Sequence, residues 1–487
     1  MYHISDCRKY IRCPHLFLYE QKAEESSYIP FVRLDESMTE LVKAKLGITD
    51  CFEGHRGDPA ELAKQALSEH EWLVNARFEY DRLRIKMPFM HRNGDVYDLY
   101  FLYTGLFPRG DNLLYYTSTV WVLEHNGIPI GDIRMVHLNV DYVRGETLDP
   151  AELLTVSEQF FTSRNHPSGN IRTRVFEGVY DMSGLLDEMD LCTAEHLPAP
   201  VRTSRCSTRS RCNAYETCFP EETTEDNSSV LMLTGSSEKY AMKKDGILRL
   251  RDVPGSRIEG LNIQYAEILA DQNGGLYADR TALRHWLSNI QWPVTFLDFE
   301  WDTFAVPPYE GMRPYDVLPF EYSVHIMEED GTVTHKIFLS EGDDRREMAE
   351  ALIRDIPAEG SLMAYNAEGA EKIRLRELAE RFAEYRTALL DMADRMEDLQ
   401  LPFQSGMVYD VRMRGQWSLK TIMGMMDDRS YKDLDIREGM QAVMEWRLME
   451  HDEDPEEKEK IRKGLEAYCG MDTYAMTVVL KWLMKLV

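Results

Sequence analysis

The segment that most constrains the fold is Phe296-Leu297-Asp298-Phe299-Glu300, in which an apolar run ends in Asp-x-Glu. The residues before Asp298 are mostly apolar and follow a Trp-Pro pair, which is typical of the start of a buried β-strand. Because side chains alternate along a strand, Asp298 and Glu300 leave it on the same face. The sequence therefore predicts a buried strand that delivers two carboxylates to one edge of a sheet.

A second pair of candidate functional side chains lies near the C-terminus. Tyr468 and Asp472 are four residues apart in a segment with helical spacing, so they share one face of the helix. Carboxylates gathered from distant parts of a chain are the ligands that hard divalent cations require. Two such ions can activate a water and stabilise the leaving oxygen in phosphodiester hydrolysis. The pattern favours a metal-dependent nuclease. The alternative is that the acids only end a strand and Tyr468 only packs in a helix core.

Length and composition indicate a globular protein of several domains. A chain of 487 residues is too long for one ordinary core, and its 44% of apolar residues argues against extended disorder. No N-terminal segment resembles a signal peptide and no run approaches membrane-spanning length, so we expect a cytoplasmic protein with no membrane partner. The formal net charge of −28 opposes simple nucleic-acid binding. A nuclease of this charge needs a localised basic groove, a basic partner or a metal cluster that inverts the local sign.

The chain is predicted to belong to the α/β (α+β) class and to divide into three parts. Residues 1–220 form a mixed domain, 221–290 a linker and small helical connector, and 291–487 a sheet covered by helices. In the last part the predicted strands are 294–299, 320–327 and 333–339, and the predicted helices are 344–353, 370–390 and 456–487. In the first part we predict strands over 83–87 and 98–103 and helices over 59–68 and 150–162.

A third acidic position lies between the two opening motifs. Residues 362–366 predict a short strand that ends in Asn366, and Glu371 follows at the start of a helix. Asp-x-Glu on a first strand, an acid just after a strand-end Asn, and Tyr-x-x-x-Asp on a late helix occur here in that order. This order resembles the DEDD exonuclease superfamily, which includes the proofreading domains of DNA polymerases and ribonuclease D.

The resemblance implies a ribonuclease H-like fold for the last part and release of nucleotides from a 3′ end of DNA or RNA. It implies two Mg²⁺ or Mn²⁺ ions, with Tyr468 orienting the attacking water. The implied metal ligands are Asp298, Glu300, Glu371 and Asp472. The superfamily normally has Asp at the second motif, usually one residue nearer the Asn, so Asp398 is the alternative to Glu371.

Cysteines suggest a separate metal site in the first part. Cys206, Cys212 and Cys218 recur at six-residue intervals, and Cys13 lies in an early Cys-Pro pair. Four thiolates suit an iron–sulfur cluster or a structural zinc ion. Zinc sites usually contain Cys-x2-Cys pairs, which this chain lacks, so a 4Fe–4S cluster is favoured and zinc is the lesser alternative. The other alternative is three buried cysteines and an unrelated fourth.

The cysteine pattern is similar to that of the iron–sulfur nucleases of the PD-(D/E)XK class, found in CRISPR adaptation and in bacterial helicase–nuclease complexes. With the C-terminal pattern, the whole chain resembles a bacterial family that fuses such a module to a DEDD-like domain. A helicase or defence-system partner is an implied expectation. The matching hairpin has Phe101 and Tyr103 where the class has Glu and Lys. Neither can ligate Mg²⁺ or activate water, so this part is predicted to lack its own nuclease site.

Four arginines surround the cysteines and could contact phosphates or belong to a solvated loop. They are Arg202, Arg205, Arg209 and Arg211. The leading hypothesis from the sequence is a metal-dependent 3′–5′ exonuclease with an iron–sulfur accessory domain. The alternative is a non-catalytic scaffold or regulatory subunit of a repair or defence complex, favoured by the net charge of −28 and the altered hairpin.

Overall fold

The computed structural model describes residues 1–22, 34–178, 181–203, 206, 212–220, 225–427, 429, 431–452 and 454–487. It is a mixed α/β protein, as predicted. The chain divides into two compact units. The first unit comprises Met1–Thr223 with Phe304–Asp316, and the second comprises Thr224–Thr303 with Val317–Val487. Among the residues described, no helix combines the length and the apolar character needed to cross a membrane.

The first unit is built on a seven-stranded sheet with the order β2-β3-β4-β5-β6-β7, in which β1 also pairs with β4. Its strands are β1 (Tyr2–His3), β2 (Phe52–Glu53), β3 (Trp72–Tyr80), β4 (Leu83–Asn93), β5 (Val96–Tyr103), β6 (Ile130–Leu138) and β7 (Leu154–Ser157), and a separate hairpin contains β8 (Gln159–Phe161) and β9 (Pro167–Asn170). Its helices are α1 (Ile4–Arg12), α2 (Pro14–Lys22), α3 (Leu34–Leu46), α4 (Ala60–Glu69), α5 (Leu113–His125), α6 (Pro150–Leu153), α7 (Ile171–Gly178), α8 (Met182–Leu191) and α9 (Tyr215–Cys218).

One predicted helix of this unit is wrong. Residues 150–162 were expected to be helical, but only Pro150–Leu153 forms a helix. Asp149 caps that helix by accepting a hydrogen bond from the N–H of Ala151, and Pro150 suits its first turn. The next residues instead form β7, which pairs antiparallel with β6. Pairing with a sheet already formed by the rest of the unit outweighs the local helical pattern.

The second unit contains a five-stranded sheet with the order β13-β12-β11-β14-β15 and a two-stranded sheet of β10 and β16. Its strands are β10 (Leu276–Ala278), β11 (Val294–Thr303), β12 (Val317–Met327), β13 (Val333–Leu339), β14 (Ser361–Ala364), β15 (Met396–Asp398) and β16 (Val408–Asp410). Its helices are α10 (Lys239–Lys244), α11 (Asn262–Gln272), α12 (Arg280–Leu287), α13 (Arg345–Asp355), α14 (Glu371–Arg381), α15 (Arg386–Asp394), α16 (Leu401–Gln404), α17 (Leu419–Met423), α18 (Gly439–His451) and α19 (Pro455–Met484).

The two faces of β11 lie in different surroundings. Leu297 and Phe299 are buried in an apolar core with residues of α13, α14 and α15. Asp298 and Glu300 leave the opposite face, against which the long helix α19 packs. The two acids therefore share one face of the strand, as predicted, and that face lies opposite the apolar core that contains Leu297 and Phe299.

The single helix predicted over residues 370–390 is wrong, since two helices occupy this segment. α14 ends at Arg381, Phe382 is extended, and α15 begins at Arg386. Because the chain breaks here, Leu375 of α14 and Leu389 of α15 both reach the same apolar core. One straight helix of this length could not direct both apolar faces to that core.

Candidate metal centre and thiol cavity

Three carboxylates from two distant elements meet on the polar face of β11. One oxygen from each of Asp298, Glu300 and Asp472 lies within 4.8 Å of the others. Asp298 is half-buried, whereas Glu300 and Asp472 are each only 9% exposed. The first two come from neighbouring same-face positions of β11, and the third comes from the middle of α19. This set has the oxygen chemistry that Mg²⁺ or Mn²⁺ prefers.

Glu371 and Tyr468 line the same cleft, which has a volume of about 420 Å³. Glu371 is the first residue of α14 and is 3% exposed. Its Oε2 has no hydrogen-bond partner among the described residues. A buried carboxylate oxygen without a partner among the described residues is costly, and a cation would relieve that cost. All five residues assigned from the sequence to this site therefore line one cleft.

Asp398, the alternative to Glu371, forms hydrogen bonds with the backbone instead. Its Oδ1 accepts hydrogen bonds from the N–H groups of Asn366 at 3.0 Å and Gln400 at 2.8 Å. These bonds hold the ends of β14 and β15 together. Asp398 does not line the cleft, although its charge contributes to raising the pKa of Glu371. Of these two acids, Glu371 lines the cleft and Asp398 does not.

The acids of the cleft resist ionisation. Burial, reinforced by the charge of Asp472, raises the pKa of Glu300 to about 8, while Lys420 opposes the rise. Burial likewise raises the pKa of Glu371 to about 8. The pKa of Asp298 lies well above its ordinary value because of burial and the neighbouring acids. Like charges crowded in a buried site disfavour one another, and a bound divalent cation relieves this repulsion.

Asp472 is held by a tyrosine for which sequence reasoning assigned no role. The hydroxyl of Tyr431 donates to Asp472 Oδ1 at 2.6 Å. Burial raises the pKa of Asp472 to about 6, and this hydrogen bond opposes the rise. A donor on one carboxylate oxygen fixes the rotation of the group and leaves the other oxygen for a ligand.

Lys420 is a second residue to which the sequence gave no role. Its ammonium donates to the hydroxyl of Tyr468 at 3.3 Å and to the carbonyl of Arg437 at 2.7 Å. It also lies 4.8 Å from the ring centre of Tyr431 and 5.0 Å from that of Tyr468. Lys420 lies in the five-residue helix α17, and no local sequence pattern signalled its contact with Tyr468.

The cleft stays open partly because α18 begins with glycine. A Cβ at Gly439 would lie 3.6 Å from Glu300 Oε2 and 3.9 Å from the hydroxyl of Tyr468. Any larger side chain there would occupy space between the two groups. The start of α18 therefore approaches the acids closely without covering them.

The four predicted thiols of the first unit also come together. Cys13, Cys206, Cys212 and Cys218 line a cavity of about 300 Å³ with Tyr215 and Phe219 beside them. Burial raises the pKa of Cys218, and the other three thiols add to the rise. Among the residues that the structure describes, these cysteines do not form a group of three with sulfur atoms all within 4.8 Å of one another.

The arginines near the thiols are only partly described. Arg202 lies with its guanidinium 5.0 Å from the ring centre of Tyr215 and 6.0 Å from that of Phe219. It therefore packs on the aromatic wall beside the thiol cavity. The other three arginines of the predicted phosphate-contacting set lie outside the described residues.

Phe101 and Tyr103 on β5, which the sequence analysis compared with the acid and lysine of a nuclease hairpin, lie in an aromatic cluster. Phe101 is fully buried, and its ring centre lies 5.4 Å from that of Tyr115 and 4.8 Å from that of Tyr116. Tyr103 packs against the same apolar core. Phe101 and Tyr103 therefore contribute to the apolar packing between β5 and α5.

Residues 295–418 match the model of a family described as a domain of unknown function, DUF2779. The matched segment contains Asp298, Glu300 and Glu371 and ends before Tyr468 and Asp472. No curated protein matches the chain.

Among solved structures, the chain is similar to the family B DNA polymerase from the hyperthermophilic archaeon Pyrobaculum calidifontis. The two share 15% sequence identity over 39% of this chain, with a TM-score of 0.23. The chain spans 24% of the length of that polymerase.

Proposed function

We propose that the second unit is a metal-dependent 3′–5′ exonuclease that acts on DNA or RNA. The observation that supports this most is the meeting of four carboxylates from β11, α14 and α19 in one open cleft. Burying that many acids together is unfavourable unless cations share the site. Their order along the chain is also the order of the DEDD exonucleases.

The metal ligands in this proposal are Asp298, Glu300, Glu371 and Asp472. The donor set fits Mg²⁺ or Mn²⁺, since it consists of carboxylate oxygens and includes the partnerless Oε2 of Glu371. Bound there, two such ions would supply an activated water and stabilisation of the leaving oxygen.

In this proposal, Tyr468 contributes a protonated hydroxyl group to the cleft. Because the hydroxyl oxygen of Tyr468 accepts a hydrogen bond from Lys420, its own O–H proton remains available to donate into the cleft. The neighbouring acids and burial raise the pKa of Tyr468, so the hydroxyl stays protonated. A hydroxyl held in this way can orient a water or a phosphate oxygen of the substrate.

The direct test uses single-stranded DNA and RNA oligonucleotides labelled at the 5′ end, incubated with the full chain and Mn²⁺. Wild-type protein should shorten the labelled strands from the 3′ end. The Asp298→Asn variant should lower the rate by about a thousandfold, because it removes a ligand present throughout the reaction. The matched control is Glu397→Gln, an exposed acid on β15 of the same sheet, which should leave the rate unchanged.

The possible outcomes distinguish a nuclease site from a non-catalytic one. Equal degradation by wild-type protein and Asp298→Asn would overturn the assignment. Mn²⁺ binding to the wild-type chain without degradation of any strand would favour the non-catalytic scaffold instead. Shortening from the 5′ end would reject the proposed polarity alone.

For the first unit we propose an accessory role centred on an iron–sulfur cluster. A single zinc ion holds its thiolates at about 2.3 Å, which brings the sulfur atoms to about 3.8 Å from one another. The wider arrangement of the four thiols around a cavity of about 300 Å³ suits a cluster better. Protein purified without oxygen should be brown and contain iron. Stoichiometric zinc without iron would reject the cluster.

A further inference from the structure

A hydrogen-bond network of three buried side chains and one exposed histidine lies behind the helix that carries Asp472. The Oγ1 atom of Thr473 on α19 is 2.7 Å from Ser323 Oγ and 2.7 Å from His325 Nδ1, both on β12. Ser323 Oγ is also 2.9 Å from His335 Nε2 on β13. The two imidazoles stack with their centres 4.2 Å apart. Four side chains from three elements therefore form one connected unit.

The network adjoins two of the three elements that supply the proposed metal ligands, β11 and α19. Ser323 is the register partner of Asp298 across the β11–β12 pair. Thr473 directly follows Asp472 in α19. Thr473 and Ser323 are fully buried, and His325 is 8% exposed. An apolar set would fill this space without needing hydrogen-bond partners, so the polar residues hold a specific geometry.

Gly470 lets the helix approach the network. A Cβ at Gly470 would lie 3.5 Å from Nε2 of His335 and 3.3 Å from Cε1, the second distance being closer than side chains usually pack. The turn of α19 from Gly470 to Thr473 therefore sits directly on β12 and β13. Consecutive helical residues point about 100° apart, so the rotation that holds Thr473 on the sheet also directs Asp472.

We propose that Thr473 is a positioning residue: held by Ser323 and His325, it fixes the rotation of α19 and thereby aims Asp472 into the metal cleft. This inference rests on the proposed metal site. It assigns the histidine pair a role in metal affinity, although neither imidazole is a ligand. Partners that orient a metal ligand from behind commonly alter metal affinity by tenfold or more when they are removed.

The same helix offers a matched control. Thr477 lies one turn further along α19, is 2% exposed, and its hydroxyl donates to the carbonyl of Tyr474 in its own helix at 2.8 Å. Thr473→Val and Thr477→Val make the same chemical change at two buried positions of one helix. Only the first change breaks hydrogen bonds to the sheet.

The experiment measures Mn²⁺ affinity by isothermal titration calorimetry and melting temperature for the full chain. Thr473→Val should bind Mn²⁺ about tenfold more weakly, or worse, whereas Thr477→Val should stay within about twofold of wild type. Thr473→Ser keeps the hydroxyl and should restore most of the affinity. Equal loss of affinity in the two valine variants would show a merely structural role and overturn the inference.

Two further outcomes are decisive. If wild-type protein binds no Mn²⁺, the proposed metal site and this inference both fall. If wild-type protein and Thr473→Val bind Mn²⁺ equally, only the inference falls. Should Thr473→Val not fold, His335→Ala decides, because the exposed His335 is a hydrogen-bond partner of Ser323 that can be removed without changing α19. Severalfold weaker Mn²⁺ binding by His335→Ala supports the inference, and unchanged binding overturns it.

Discussion

The two units each place a distinctive pair of residues on a strand of their main sheet, and the pairs have opposite chemistry. In the second unit Asp298 and Glu300 on β11 face other acids, and polar groups such as Tyr431 surround them. In the first unit Phe101 and Tyr103 on β5 join a packed aromatic core. The acids of the second unit are like charges held close together. The aromatic rings of the first unit contribute packing energy. Crowded buried acids are costly without a cation, whereas a packed aromatic core is stabilising by itself.

The two units also differ in the chemistry of their candidate metal ligands. In the first unit, four cysteines line a cavity of about 300 Å³. Each unit therefore has one candidate metal site, made of soft sulfur ligands in the first and hard oxygen ligands in the second. Substitutions that affect only one unit test this difference.

The largest effect is expected from Cys212→Ser. Removing one of four thiolates should abolish stable cluster binding and with it the iron content and visible colour, because a serine hydroxyl is a poor ligand for iron in a cluster. Mn²⁺ binding by the carboxylates should persist, since they belong to the other unit. Iron analysis and calorimetry on one preparation test both statements. Simultaneous loss of both metals would contradict the independence of the two sites.

Phe101→Ala should be the next largest in effect. Because Phe101 is fully buried among aromatic rings, its truncation leaves a cavity and should lower the free energy of unfolding of the first unit by about 3–5 kcal/mol. Phe101→Leu fills more of the space and should cost clearly less. Denaturant unfolding followed by near-ultraviolet circular dichroism gives both values. A change near zero would mean that the aromatic cluster is not packed as described.

Lys420→Met should slow catalysis with a smaller energetic effect. The substitution keeps the aliphatic stem but removes the ammonium bonded to Tyr468 and the positive charge near Glu300. We expect kcat of the proposed nuclease to fall by about tenfold to a hundredfold. Lys420→Arg retains the charge and should recover part of the rate. An unaltered kcat for Lys420→Met would remove Lys420 from the site's chemistry.

The smallest expected effect is the dependence of the melting temperature on pH in the metal-free protein. Because burial raises the pKa of Glu300 and Glu371 to about 8, the folded state keeps protons that the unfolded chain has already released. These groups therefore favour folding fully below their unfolded pKa of about 4.5, and this advantage is lost as pH rises through about 8. Melting temperature should fall between about pH 6 and pH 8.5, less so with Mn²⁺ present. A Glu300→Gln/Glu371→Gln variant should flatten the profile, and a rising profile for wild type would contradict the sign.

Local sequence patterns predicted several parts of the candidate site. The alternation around Asp298 correctly placed it on the polar face of a buried strand, because strand periodicity is a local property. The four-residue spacing of Tyr468 and Asp472 predicted a shared helix face for the same reason, and both line the cleft. Glu371 was reached through the order of motifs, and the partnerless Oε2 now distinguishes it from Asp398.

Other parts could not be predicted from the sequence. Lys420 and Tyr431 belong to short elements, α17 and a 3-10 turn, and reach the acids only through chain folding. Within the segment predicted to be helical, residues Leu154–Ser157 form strand β7 because they pair with β6. Both outcomes depend on partners that are distant in sequence, which no local pattern encodes.

By itself the sequence determined the mixed α/β class, the buried strand that carries Asp298 and Glu300, and the helix that carries Tyr468 and Asp472. Side-chain periodicity is enough for these, since it depends only on residues a few positions apart. Only the tertiary structure decided which acids meet, which of Glu371 and Asp398 faces the cleft, and how Thr473 ties α19 to the sheet. Those outcomes depend on distances between separate elements, and the packing of the whole unit sets them.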